Sequence, residues 1–415
     1  MKILKTIPYS EFYMWDVKRF VKSNISSKYN IVELSNYITE RSEKTKLFNF
    51  PDKEFGILGV NNKVGLFDAY KEFGKNINQS YKRVENQDLA YNPYRVNVGS
   101  IGWKTEKQKN DFISPAYVVF ETQKDLSSEF LYRMFKTDIF NQIIRDNTTG
   151  SVRQNLKFDT LSKIKIPLPP LAEQNRIVSN YNSKIKLAND QEQKAKQLEQ
   201  EIEEYLFDVL GIEKLEEKEN VKGLQFVQFK EIEIWSIWNI NTAYKSRIFP
   251  NISLGKILSF KSGEFLPKKF QIKGEYKVYG GNGLNGYHNE FIHQGKRIII
   301  GRVGEYCGNV HLVDGKYWVT DNAFLTDKLN DKFEIYFLSI VLSFIDLNRY
   351  KVLSAQPSIS QQNLINVPVP LPPLKIQTQI TNHISDLKQQ IKDLQKQAKE
   401  NRVKAIQEFE EEIFS

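Results

Sequence analysis

Cysteine is almost absent. The 415 residues contain one, Cys307, with four histidines and three methionines. A single thiol excludes an internal disulfide framework and every zinc site built from several cysteines, and it suits a reducing compartment, read here as the cytoplasm. Long apolar runs are missing too. The longest, residues 335–347, carries two serines and Asp346 and is too short to span a bilayer. Residues 1–15 place Tyr9, Ser10 and Glu11 where a secretion signal needs unbroken apolar sequence. No membrane partner is expected. Acidic residues are in deficit, 50 against 59 Lys and Arg, while the 13% of aromatic residues argues against disorder. The length exceeds what one hydrophobic core usually supports, so two or more domains follow.

The positive charge is local. Residues 1–165 hold 27 basic and 19 acidic side chains and residues 222–366 hold 18 and 12, whereas 166–221 hold 7 and 12 and 367–415 hold 7 and 7. Two long, aromatic-rich segments therefore carry the whole excess, which suggests two polyanion-binding domains separated by two neutral or acidic spacers.

The chain repeats itself. Ile164-Lys-Ile-Pro-Leu-Pro-Pro-Leu171 recurs as Val367-Pro-Val-Pro-Leu-Pro-Pro-Leu374, with Gln174 matched by Gln377 and Ile177 by Ile380. Further back, residues 94–102 align with 296–304, pairing Arg95 with Arg297, Gly99 with Gly301 and Gly102 with Gly304. Residues 54–65 align with 275–286, pairing Asn61 with Asn282 and Gly65 with Gly286. Each Leu-Pro-Pro-Leu element reads as extended, because proline fixes its own φ and drives the preceding residue out of the helical region. A long helix follows each one. Val178, Tyr181, Ile185, Ala188, Ala195, Leu198, Ile202, Tyr205 and Val209 repeat at spacings of three and four, with Glu192 the polar intruder and Gly211 the stop. Ile380, Ile384, Leu387, Ile391, Leu394, Ala398, Ala405, Phe409 and Ile413 do the same. One apolar stripe on an otherwise polar helix demands a partner, and the two stripes predict an antiparallel coiled coil. Upstream the pattern is short strands, among them 55–60, 96–101, 117–121, 276–279, 297–300 and 317–320, with one amphipathic helix in each unit, 128–145 and 333–346. The fold class is α+β in two tandem units. Their boundaries are 1–165 for the first globular domain, 166–211 for its Pro element and helix, 212–366 for a linker and second domain, and 367–415 for the second Pro element and helix.

No catalytic constellation emerges. Gly281-Asn-Gly283-Leu-Asn-Gly286 satisfies G-x-G-x-x-G, but no helix opens at its third glycine, so it reads as a turn. Asn92-Pro93-Tyr94 lacks the second proline of an amino-methyltransferase N-P-P-Y, and Pro51-Asp52 has no E-x-K at usable distance. His288, Glu290 and His293 suggest a metal pair, but no third ligand has a recognisable spacing and the first unit has no counterpart, and nothing but proximity marks Cys307 and His311 as nucleophile and base. Recognition remains. Arginine and asparagine make bidentate contacts to guanine and adenine, which draws attention to Arg95, Arg297, Asn61 and Asn282, although the two arginines also fit as partners of acids. Lys104, Lys107 and Lys109, and Lys268, Lys269 and Lys273, suit phosphate contact. Asn62, Lys63, Arg153, Asn285 and Arg302 complete the candidate DNA-binding set.

Two domains, each closed by Leu-Pro-Pro-Leu and a long helix with Gln174 or Gln377 near its start, resemble the specificity subunits (HsdS) of type I restriction-modification systems. The second copy has Ile376 where the pattern has an acid. The resemblance implies a non-catalytic subunit that binds double-stranded DNA. Each target-recognition domain would read half of a bipartite, asymmetric sequence, while the helices dock two methyltransferase (HsdM) subunits. It implies no cofactor bound by this chain. S-adenosylmethionine would belong to HsdM, and ATP with Mg to two restriction (HsdR) subunits where the complex also cleaves. About 38 residues of helix at ~1.5 Å rise span roughly 57 Å, which bounds the half-site separation at under about 17 base pairs. The competing readings are a single-chain methyltransferase or nuclease, and a coiled-coil adaptor that would leave the localised charge unexplained.

Overall fold

A computed structural model describes residues 25–96, 99–147, 155–212, 244–352 and 357–415. The chain packs into two units. The first combines residues 1–192 with 396–415, and the second is 193–395. Packing thus divides both long helices between the units, where the sequence pattern sets the helices apart from the globular domains.

Unit 1 contains an antiparallel four-stranded sheet in the order Ile38–Glu40, Val118–Thr122, Leu89–Tyr91, Ile101–Trp103. Its five-stranded sheet runs Lys44–Thr45, Tyr81–Arg83, Phe112–Ile113, Glu54–Asn61, Gly65–Phe73, with a parallel step where Ile57 meets Phe112. Unit 2 repeats both. Ser259–Ser262, Ala323–Asp327, Arg297–Gly301 and Val310–Val313 form the first sheet. Gly283–His288, Tyr276–Gly280, Lys316–Val319 and His293–Gln294 form the second, with the same parallel step between Val278 and Trp318.

The proline elements are strands. Lys165–Leu168 pairs with Asn30–Glu33, and Pro368–Pro370 with Asn251–Ser253, each in a two-stranded ribbon where a missing N–H can face away from the partner. The long helices Leu171–Leu210 and Leu374–Phe414 start at once. Within unit 1, Ile177, Val178 and Tyr181 share a core with Phe409 and Ile413. Lys184 meets Glu408 at 3.0 Å, and Arg176 meets Glu412. Glu192, the intruder in the stripe, is paired with Arg402. Within unit 2, Ala195, Leu198 and Ile202 pack on Leu387, Ile391 and Leu394, and the rings of Tyr205 and His383 lie 4.4 Å apart. Rising numbers on one helix meet falling numbers on the other, so the segments pair antiparallel in each unit.

Three local expectations change. The helix expected over 128–145 is two, Ser128–Met134 and Asp138–Asn147, because Thr137 caps the second by accepting from Phe140 N at 3.3 Å. The helix at 333–346 shortens to Ile335–Ile345, with Glu334 as its N-cap and Asp346 left-handed at φ 55°. The strand expected from Val96 starts only at Ile101, since Asn92 turns the chain by accepting from Tyr94 N and Gly99 sits at φ 81°.

The repeated glutamine is structural. Gln174 is fully buried, accepts from Ser127 N at 2.9 Å, and donates to Asp125 O and Pro169 O at 2.8 and 2.9 Å. Gln377 does the same with Glu334 N, Lys332 O and Pro372 O. Gln174→Leu keeps the volume and orphans three backbone groups at roughly 1–3 kcal/mol each, so denaturation should show unit 1 losing at least ~3 kcal/mol. Gln377→Leu should do the same to unit 2. A variant within ~1 kcal/mol of the parent would refute this role.

Candidate nucleic-acid interface

In unit 1 two loops meet. The tip of the 54–73 hairpin is shaped by Asn61, whose Oδ1 accepts from Lys63 N and Val64 N at 2.9 and 2.7 Å, and Gly65 closes it at φ 83°. Asn61 therefore spends its carbonyl on the turn, while Asn62, Lys63 and Val64 stand exposed, Val64 at 68%. Against the tip lies the loop, here called the central loop, that joins the inner strand Leu89–Tyr91 to the edge strand Ile101–Trp103 of the four-stranded sheet. Ser100 Oγ donates to Val60 O at 3.4 Å, and Gly102 packs on Leu66 where a Cβ would come within 2.3 Å of its backbone N. This loop presents exposed Tyr94 and Arg95, and the structure gives Arg95 no side-chain partner among the described residues. Lys136 reaches in beneath it, donating to Gly99 O at 2.9 Å and Ile101 O at 3.4 Å. Burial, and after it Arg133, pushes its ammonium down to about 8.

The lysine cluster after it splits. Lys107 and Lys109 are exposed, on a loop tied to the hairpin by Gln108 donating to Leu66 O and by Asp68 accepting from Lys109 N and Asn110 N. Lys104 corrects the sequence reading. Only 5% exposed, it turns inward, donating to Val84 O at 2.7 Å and pairing with Asp111, so it offers nothing to phosphate. Arg153 lies outside the described residues.

Unit 2 builds the same juncture from other residues. Its hairpin turns through Gly281 and Asn282, and Gly283 takes φ 86°. Gly283 rather than Gly286 thus stands where unit 1 has Gly65, and G-x-G-x-x-G is a hairpin turn with a strand behind it. Asn282 Oδ1 accepts from Asn309 at 3.2 Å, which joins tip to central loop, and a Cβ on Gly301 would come within 2.4 Å of Gly281 O. Leu284, Asn285 and Tyr306 are exposed, and the Arg302 guanidinium lies 5.5 Å from the Phe324 ring centroid. The connection corresponding to the unit 1 lysine loop shrinks to Asp314 and Gly315. Positive charge comes instead from exposed Lys268, Lys269 and Lys273 ahead of the hairpin, where Ile272 N donates to His288 and binds the segment to it.

Arg297 needs a second correction. Sheet register places it opposite Asp327, as Asp88 is placed opposite Glu121 in unit 1, so Arg297 corresponds to Asp88 and not to Arg95. It pairs with Asp327 at 3.6 Å beside Lys261 at 2.7 Å, and unit 1 has Arg41 between Asp88 and Glu121 at 2.8 and 2.7 Å. The ion cluster is kept with one charge reversed, Asp88 giving way to Arg297, which makes Arg297 a sheet residue. Exposed aromatics escaped the sequence reading: Tyr94 and Tyr306 in the central loops, and Phe265 and Phe270 around the unit 2 lysines, Phe265 at 71%. Among the described residues no group of three His, Cys, Asp or Glu could hold a metal ion, Cys307 is buried, and no helix is long and apolar enough to cross a membrane.

A family model described as the type I restriction modification DNA specificity domain matches residues 94–204 and again 249–405. The chain is 29% identical over 133 residues to the type I restriction enzyme EcoprrI specificity subunit of Escherichia coli, covering 31% of this chain and 33% of that one. It therefore spans about a third of that relative's length. It is 23% identical over 331 residues to the MjaVIII specificity subunit of Methanocaldococcus jannaschii, covering 75% and 76%. Among solved structures, a chain from work on complex assembly and conformational transition of the type I R-M system aligns with TM-score 0.61 and 16% identity over 94% of this chain and 97% of that one. The type I S subunit from M. genitalium aligns with TM-score 0.51 and 16% identity over 95% and 97%. These structural likenesses speak for the fold.

The burial of Lys104 separates two kinds of lysine. Lys107→Ala with Lys109→Ala should weaken binding to all duplexes alike and reduce the salt slope by about two, with stability unchanged. Lys104→Ala should leave the slope alone and cost roughly 1–3 kcal/mol of stability. Equal salt slopes for parent and double variant would rule out phosphate contact by this loop.

Proposed function

We propose a role for this chain from the premise that it belongs to the type I restriction-modification DNA specificity family: it is the subunit that reads DNA, each unit reading one half of a bipartite, asymmetric target. The observation that carries the reading is the duplicated juncture of hairpin tip and central loop, built on one topology in both units yet lined by different side chains. A fixed frame with divergent loops is what two unlike half-sites require, because phosphate contacts position a protein whereas base-edge contacts discriminate. Lys63, Lys107 and Lys109 in unit 1 and Lys268, Lys269 and Lys273 in unit 2 supply the phosphate contacts. Asn62, Tyr94 and Arg95, and Asn282, Asn285 and Tyr306, face the bases. The long helices dock two HsdM-type methyltransferase subunits that use S-adenosylmethionine. Two HsdR-type subunits using ATP and Mg join where the complex cleaves. In this reading the chain has no chemistry of its own and works in the cytoplasm beside DNA.

The test is reconstitution with a cognate methyltransferase followed by mapping of methylated adenines. The expected result is one bipartite asymmetric motif that needs both proteins. Methylation or cleavage by the rigorously purified chain alone, or a motif that stays the same when this chain is exchanged for another specificity subunit, would overturn the proposal.

A further inference from the structure

The two central loops share a support that no residue match reveals. Residues 92–96 with 99–100 in unit 1, and 302–309 in unit 2, link neighbouring antiparallel strands, and the carbonyls that the ladder leaves over in these loops and at the adjoining strand end need partners from elsewhere. In unit 1 the partner is Lys136, whose Nζ donates to Gly99 O and Ile101 O. In unit 2 it is Asn348, whose Nδ2 donates to Glu305 O at 3.2 Å and Cys307 O at 2.6 Å. Each donor bridges carbonyls two residues apart. Each also follows the first helix after the sheets, Ser128–Met134 or Ile335–Ile345, whose N-cap is tied to Gln174 or Gln377.

Both donors are themselves held. The Lys136 ammonium lies 5.3 Å from the Tyr132 ring centroid. Asn348 Oδ1 accepts from Lys351 Nζ at 2.7 Å, which fixes the amide with its NH2 toward the loop, and Asp346 accepts from Asn348 N. The approach is close enough that a Cβ on Gly308 would come within 2.3 Å of Asn348 N.

We infer that Lys136 and Asn348 are positioning residues for base discrimination, each holding the central loop of its own unit against the hairpin tip and so fixing where Tyr94 and Arg95, or Tyr306, meet the DNA. The inference rests on the DNA-reading role proposed above. Neither residue need touch DNA. Releasing a clamp leaves the exposed lysines in place, so overall affinity and salt dependence stay while selectivity falls.

The experiment uses the full chain assembled with its methyltransferase, mapping adenine methylation on a randomised target library. Lys136→Met should lower discrimination in the first half-site about tenfold, the scale of one poorly read base pair, and leave the second half-site within about twofold. Asn348→Leu should do the reverse. Lys136→Arg, which retains donors at that reach, should stay near the parent. Unchanged discrimination in either Lys136→Met or Asn348→Leu overturns the inference for that unit, and relaxation of both half-sites together overturns it for both. Failure of both variants to assemble also overturns it, because the contacts would then determine the fold. A parent complex with no bipartite motif would instead remove the DNA-reading role itself, before any variant is made.

Discussion

One buried amide in each unit ties together everything that lies between the sheets and the long helices. Gln174 and Gln377 are completely shielded from solvent, and each satisfies one N–H and two carbonyls from three different segments. The segments are the chain leaving the last sheet strand, the N-cap of the helix that follows, and the last turn of the proline element. An amide is the side chain able to accept and donate twice in such a place; a carboxylate would face two carbonyls with no proton to offer, and an aliphatic group would leave three backbone groups unpaired. The start of the long helix and the direction of the shorter one are therefore set by the same contact. The shorter helix in turn delivers Lys136 or Asn348 to the central loop.

Much of this frame was legible in the sequence. The Leu-Pro-Pro-Leu repeat, the matched glutamines and the two apolar stripes are periodic or identical, and the ribbons, helices and antiparallel pairing follow them closely. What the glutamine does was not legible, since an amide at a helix start reads as solvated until its burial is known. Residue matching also failed wherever equivalent positions change type. Arg297 aligned with Arg95 by name, while sheet register sets it against Asp88. Gly286 aligned with Gly65, while the left-handed turn belongs to Gly283. Lys104 looked like its neighbours Lys107 and Lys109, and only packing reveals that it points inward. The clamp pair was invisible for the same reason, lysine in one unit and asparagine in the other serving one geometry.

The divergence between units is concentrated where the frame does not need particular side chains. Backbone ladders and glycines at close approaches hold the hairpin tip to the central loop in both, and neither depends on the exposed residues. The lysine loop of unit 1 can shrink to Asp314 and Gly315 in unit 2, with positive charge moving to the segment ahead of the hairpin, because a surface loop is replaced at little cost to the core. Even the ion cluster on the sheet tolerates exchange of sign between Asp88 and Arg297 as long as a counter-charge stands between its members.

The helices carry the opposite kind of information, a preference for one particular partner. Within unit 1 the first helix meets the second through Arg176 with Glu412, Lys184 with Glu408 and Glu192 with Arg402. The repeat offset from Gln174 to Gln377 is 203 residues, so a second copy of the first helix would bring Val209, Tyr205 and Glu199 to the places of Glu412, Glu408 and Arg402. Every one of the three ion pairs would be lost, and Glu192 would face another carboxylate. Each exposed pair contributes only about 0.2–1 kcal/mol, and a like-charge contact costs a similar amount. The apolar stripe, by contrast, offers much the same surface to either partner, with Leu206 and Leu210 standing in for Phe409 and Ile413. Affinity between the helices is thus set by the stripe, while the small electrostatic differences decide which helix is chosen, and they favour the unlike helix of the same chain.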